Sequence, residues 1–102
     1  MDSKQIEGSW VRTDGGYILQ LKDTKADGSL TATYFNPRPI NVSRAEVMRK
    51  EGALTLFVEL RDVNYPGSTY TLNYDPNTDN LNGNYFQAAI QKTFAVEFIR
   101  AK

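Results

Sequence analysis

The 102-residue chain contains no cysteine and no histidine. The first absence excludes disulfides, thiol nucleophiles and thiolate metal sites. The second removes the commonest general base and the commonest metal ligand. An excess of one charge is missing too: Lys plus Arg number 12, Asp plus Glu number 12, and the formal net charge is zero. A chain without a basic stripe lacks the electrostatic footprint of nucleic-acid binding. No apolar run approaches the roughly 20 residues of a membrane-spanning helix, and no signal-peptide pattern precedes Gly8. A leader removed earlier would leave the compartment open. Neither nucleic acid nor membrane is expected as a partner, and no cofactor is expected.

What is present alternates. Short apolar–polar runs are divided by turn chemistry at Asp14-Gly15-Gly16, Ala26-Asp27-Gly28, Asn36-Pro37-Arg38-Pro39, Glu51-Gly52, Tyr65-Pro66-Gly67, Asp75-Pro76-Asn77 and Gln87 to Gln91. Intervals of about 10–15 residues fit consecutive hairpins better than alternating strands and helices. Seven turns separate eight strands, the number that closes a small barrel filled by its own side chains. The expectation is one domain over residues 1–102: an all-β, eight-stranded antiparallel up-and-down barrel. A chain of this length buries roughly 60–68% of its unfolded surface, enough for a modest core.

Period-2 patterning supports this. Leu30, Ala32 and Tyr34, then Leu54, Leu56, Val58 and Leu60, then Tyr70, Leu72 and Tyr74, then Phe94, Val96 and Phe98 each alternate with more polar neighbours, so even numbers mark the inward face. The stretch Asn41–Lys50 breaks the rule. Ile40 and Val42 keep the even register, whereas Ala45 and Val47 take the odd one. A bulge near Arg44 reconciles them; a short helix through Ser43-Arg44-Ala45-Glu46 is the alternative.

One tryptophan, Trp10, follows Gly8-Ser9 near the start of the chain. Barrel closure abolishes open edges, and it pairs the first strand with the last, running oppositely. Trp10 then lies beside Phe98-Ile99-Arg100, with Trp10 and Arg100 both facing inward. The indole plugs the narrow end and the guanidinium stacks across it, while Gly8 lets the chain bend on entry.

The "GSW" opening, the eight-strand meander, the closing "FAVEFIR", and the segments "ADGSLTATY" and "LNGNY" resemble the calycin superfamily, most nearly its avidin and streptavidin branch. The resemblance spans nearly the whole chain. It implies that Tyr34, ending "LTATY", matches the third-strand tyrosine that donates to a ligand carbonyl. It places Arg12 and Gly16 where the family has an asparagine and a serine on the ligand. The family's ligand-sandwiching tryptophans have no counterparts, since those places hold Leu60 and Ala88, Ala89 and Ile90. The eighth-strand aspartate is missing near Gln91-Lys92. The fold is implied, and biotin binding is not.

In a meander the odd-numbered turns gather at one end. That end carries the longer, partly apolar "NPRPI", "DVNYPGS" and "FQAAIQ", and it lies opposite the termini, where avidins and lipocalins admit ligand. The inward face takes five tyrosines: Tyr17, Tyr34, Tyr70, Tyr74 and Tyr85. Either a polar ligand or ordered waters meet their hydroxyls, or the rings fill the barrel with Trp10, Phe94 and Phe98 while the hydroxyls reach its rims. Candidate ligand residues are therefore Tyr17, Tyr34, Tyr70 and Arg12, with Arg38 and Tyr65 from the loops. A small-molecule binding module is the leading expectation. The alternative is a filled barrel that binds a protein through its outer face or loops, as small barrel-shaped protease inhibitors do.

No metal site and no enzyme are expected. "DPNTDN" at Asp75–Asn80 opens like a calcium loop but has Asn80 where glycine is needed and Phe86 where the bidentate acid belongs, so it reads as an Asx-rich hairpin turn. Glu46, Glu51, Glu59, Asp62 and Glu97 fall on turns or the polar register, and no Ser or Thr has a base in view. Asn41-Val42-Ser43 matches a glycosylation acceptor, relevant only in a eukaryotic secretory pathway. The outward register exposes Val11, Ile18, Phe35, Phe57, Phe86 and Ile99. From these, Phe57, Phe86 and Ile99 are expected to form a flat uncharged patch supporting a homodimer.

Overall fold

In a computed structural model describing residues 2–101, the chain is a nearly closed antiparallel up-and-down β-barrel. A single 3-10 turn, Ser3–Ile6, precedes strands β1 (Gly8–Arg12), β2 (Ile18–Lys22), β3 (Thr31–Phe35), β4 (Pro39–Ile40), β5 (Val42–Lys50), β6 (Ala53–Asp62), β7 (Tyr65–Asp75), β8 (Asn80–Gln87) and β9 (Lys92–Arg100). The sheet order is β4-β3-β2-β1-β9-β8-β7-β6-β5, so the first and last strands pair, Trp10 opposite Arg100.

Nine strands stand where eight were expected because the fourth is divided at Asn41. Its first part pairs with β3, Tyr34 opposite Ile40, and its second with β6. The register shifts between Val42 and Arg44, so the bulge, not the short helix, carries the change of parity. The division leaves a seam. β5 rejoins the far side only near its middle, through the Ser29–Glu46 bridge, Leu30 N to Ala45 O (3.4 Å) and Val47 N to Gly28 O (2.7 Å).

The fifth turn is displaced. It falls at Val63-Asn64, with Asn64 in the left-handed region (φ 70°), and Tyr65-Pro66-Gly67 already belong to β7. Pro66 is tolerated there because the β6–β7 register shifts beside it, between Leu60 and Arg61. Even numbers face inward in β1, β3, β6, β7 and β9. In β2 and β8 odd numbers do, as Leu19, Leu21, Leu81 and Tyr85 are buried. Gly83, inward on β8, lies so close to β7 that a Cβ would sit 2.0 Å from the Thr71 carbonyl oxygen. Only glycine permits that approach.

The core is continuous from Ile6 and Trp10 through Leu19, Leu54, Leu56, Leu72 and Leu81 to Tyr34, Tyr70 and Phe98. Its lower end is sealed by the 3-10 turn. Trp10 is fully buried and its Nε1 donates to Ile6 O at 2.8 Å. The Arg100 guanidinium lies 4.3 Å from the indole centroid and donates to Glu7 O (2.7 Å), Gln5 O (2.6 Å) and both Asp79 oxygens. Gly8, at φ 131°, sits where any Cβ would come 2.7 Å from Arg100 Nη1. The positive φ, which side chains rarely adopt, is what favours glycine there.

Asp79 links this closure to pH. Hydrogen bonds from Arg100 and then from Tyr74 hold its carboxyl below the usual carboxylate range. A depressed carboxyl adds stability that is complete above the unfolded value of 3.8 and is lost as pH falls through the folded one. Urea midpoints followed from pH 7 to pH 3 are expected to fall less steeply for Asp79→Asn than for the wild-type chain.

Candidate functional site

The odd-numbered turns meet at the upper end around a cavity of about 710 Å³. Its floor is where the filled core stops. Tyr34, on β3 and 1% exposed, lines that floor, and Tyr70, on β7, is sealed just beneath it. Their hydroxyl oxygens lie 2.8 Å apart. Arg12 ends β1 and turns inward, its Nη1 donating to the Tyr70 oxygen at 2.9 Å and its Nε to Asp14. The guanidinium carbon lies 4.0 Å from the Tyr17 ring centroid and 5.7 Å from that of Tyr85.

The rings form a connected stack. Tyr17 is parallel to Tyr34 at 6.2 Å, Tyr34 is tilted on Tyr70 at 5.6 Å, and Tyr70 is stacked on Tyr85 at 4.5 Å. Burial opposes the charge on Arg12, but Asp14 and Tyr70 more than restore it, so the guanidinium is held firmly protonated. Burial pushes the Tyr34 and Tyr70 phenols up, and both stay neutral at physiological pH.

Of the expected ligand residues, Arg12, Tyr17, Tyr34, Arg38 and Tyr65 line the cavity, and Tyr70 supports it from below. Tyr65 accepts from Asn36 Nδ2 at 2.6 Å, which joins the third and fifth turns across the rim. Tyr74 is remote, at the lower end, packed edge-on against Trp10. Phe94 keeps its inward register but is 43% exposed, a wall of the mouth instead of barrel filling. Asp14, Asn36, Val63, Asn64 and Gln87 complete the lining. Composition held a signal for most of these, since they belong to the first, third, fifth and seventh turns. Asp14 shares that signal as part of the first turn, but its hold on Arg12 depends on Arg12 turning inward, which composition does not show.

Leu60 is fully buried in the core and Ile90 is half exposed on the seventh turn, so no tryptophan approaches the mouth. In "DPNTDN", Asp75 accepts from the Asn77 N–H at 2.9 Å and Asp79 is committed to Tyr74 and Arg100. Among the described residues no three acidic side chains gather to hold a metal.

The expected outer patch is not formed. Phe86 pairs with Thr93 and Ile99 with Asn80, six residues apart along the strands. That separates the two side chains by about 20 Å. Phe57 lies instead under Arg44, whose guanidinium is 5.3 Å from its ring. Ile99 belongs to another row: Ile99–Val11–Ile18–Phe35–Pro39, each opposite the next across five strands. The sequence places Val11, Ile18, Phe35 and Ile99 outside, but their alignment in one row depends on the register in which the strands pair.

Comparison with protein-family models, with curated proteins and with solved structures returns no match.

Proposed function

We propose that this protein is a non-enzymatic binding module, an avidin-like calycin barrel that takes a small molecule at its mouth and does not take biotin. The cavity of about 710 Å³ carries this reading. A drug-sized ligand needs about 300 Å³ or more, and the lining mixes aromatic rings with a few convergent polar groups, as such sites do. The filled core below limits the ligand to the mouth, so it lies against Tyr34 without entering the barrel.

Native mass spectrometry of protein purified without denaturation, followed by an NMR ligand screen, tests this. A bound molecule is expected to shift the ring resonances of Tyr17, Tyr65 and Phe94 while leaving Trp10 unmoved. A screen that moves none of the mouth resonances at millimolar concentration rejects the reading. Calorimetry with biotin is expected to show no heat of binding at micromolar concentration.

A second reading, association through the outer wall, is favoured by the Ile99–Val11–Ile18–Phe35–Pro39 row. Ile99 is 45% exposed, and the adjoining row of Ser9, Gln20 and Thr33 is uncharged. Two copies stacked on this row in an isologous dimer would meet no like-charge barrier there. Equilibrium sedimentation is expected to find a dimer that Ile18→Glu abolishes and Phe57→Glu does not. A monomer throughout the micromolar range removes it.

A further inference from the structure

Several hydrogen-bond donors at the mouth have no partner among the described residues. The Tyr34–Tyr70 pair holds two hydroxyl protons but only one mutual hydrogen bond. The Tyr70 oxygen already accepts from Arg12 Nη1. If Tyr70 donates to Tyr34, the spare proton is on Tyr34, at the cavity floor, where an acceptor can reach it. The reverse arrangement strands a donor in the sealed core, which costs about 1–3 kcal/mol. The pair therefore presents its free O–H upward.

Arg12 adds to this. Its Nε and Nη1 are engaged, and among the described residues Nη2 has no partner. Among the described residues no buried side-chain nitrogen is left without a hydrogen bond, so Nη2 opens to the cavity. Tyr65 accepts from Asn36, and its own proton is likewise unspent. On the rim, Arg38 forms no ion pair among the described residues. The nearby Asp62 commits its oxygens to the Asn41 and Val63 N–H groups, each at 2.7 Å. Arg12 and Arg38 against Asp14 leave the lining one positive charge in excess.

We propose that the mouth takes a small organic monocarboxylate, its carboxylate against Arg12 Nη2 and the Tyr34 hydroxyl, its apolar body against Tyr17, Tyr65 and Phe94. This rests on the reading of the mouth as a small-molecule site. A single negative charge balances the excess. Two oxygens match a hydroxyl and a guanidinium edge, the arrangement in which charge-assisted bonds are short and strong. The ring-lined walls suit a flat or aromatic body better than an inorganic ion, which would leave them wet.

Benzoate and benzamide, alike in shape and different in charge, separate the two claims in NMR titrations of the intact protein. Benzoate is expected to bind at least about tenfold more tightly, the least that a charge-assisted hydrogen bond confers. Added salt is expected to narrow the difference. Tyr34→Phe keeps the ring and the fold and is expected to weaken benzoate by about tenfold while barely changing benzamide. Arg38→Gln, at the exposed rim, is expected to weaken benzoate less. Equal affinity for the two probes overturns the anion seat and leaves the mouth a site for neutral ligands. A benzoate preference untouched by both substitutions also overturns it, because the anion then sits elsewhere. If neither probe moves the mouth resonances, the anion seat is lost, and the mouth reading is decided by the neutral members of the screen.

Discussion

Trp10→Ala is expected to cost about 3–5 kcal/mol of stability, the range for truncating a fully buried large side chain. Three losses add there. The indole is the largest body in the core and is wholly enclosed, and the wall around it is hydrogen-bonded ladder that cannot collapse inward. Its Nε1 holds the Ile6 carbonyl at 2.8 Å, so the 3-10 turn loses its tie to the barrel. Arg100 loses the ring under its guanidinium, although its bonds to Gln5, Glu7 and Asp79 remain. Chemical denaturation followed by circular dichroism measures the loss, since the substitution removes the only tryptophan. Trp10→Phe separates the contributions by refilling most of the volume without the donor. In the wild-type chain the indole emission is expected to be blue-shifted and poorly quenched by iodide. A loss under about 1 kcal/mol for Trp10→Ala, the ordinary size for a point substitution, would mean that the turn does not seal the barrel.

The barrel was legible because its evidence is local. Leu54, Leu56, Val58 and Leu60 alternate within one strand, and that pattern alone reports a half-buried strand. Closure followed from Trp10 and Arg100 falling at the two ends of the chain with compatible parity. Parity between strands is a different quantity, because each turn can add or remove one residue and reverse it. Leu19 and Tyr85 therefore face inward on odd numbers, and numbering alone does not show that outward Val11, Ile18, Phe35 and Ile99 fall opposite one another. The displaced fifth turn has a similar origin. Tyr65-Pro66-Gly67 carries strong turn chemistry, but a bulge absorbs the proline, and Asn64 supplies the left-handed residue the tight turn needs. Turn composition pointed to the end of the barrel where the cavity lies. The Arg12–Tyr70 bond joins residues 58 apart, and only the closed barrel brings them together.

Tyr70→Phe is expected to cost about 2–4 kcal/mol although it removes a single oxygen, because two neighbours lose a partner, one of them charged. Tyr70 is fully buried. Without its hydroxyl, Arg12 Nη1 loses its acceptor and the Tyr34 oxygen loses its Tyr70 partner. Tyr34→Phe is milder, since Tyr70 still accepts from Arg12. Removing both hydroxyls leaves only Arg12 unmatched, so the double variant is expected to lose less than the sum of the singles, by about 0.5–3 kcal/mol. Additive losses would show that the two phenols do not share a hydrogen bond in solution. Alkaline pH gives an independent reading. Burial, opposed by the Arg12 charge, pushes the Tyr70 phenol up to about 12, against 10.0 when unfolded. A raised value means that the stability from keeping this phenol neutral is complete below pH 10 and is lost as pH climbs toward 12. Stability measured across that window is expected to decline less steeply in Tyr70→Phe, which has no proton there to lose. Parallel alkaline slopes for the two proteins would place the Tyr70 hydroxyl in contact with water and the cavity floor one residue deeper.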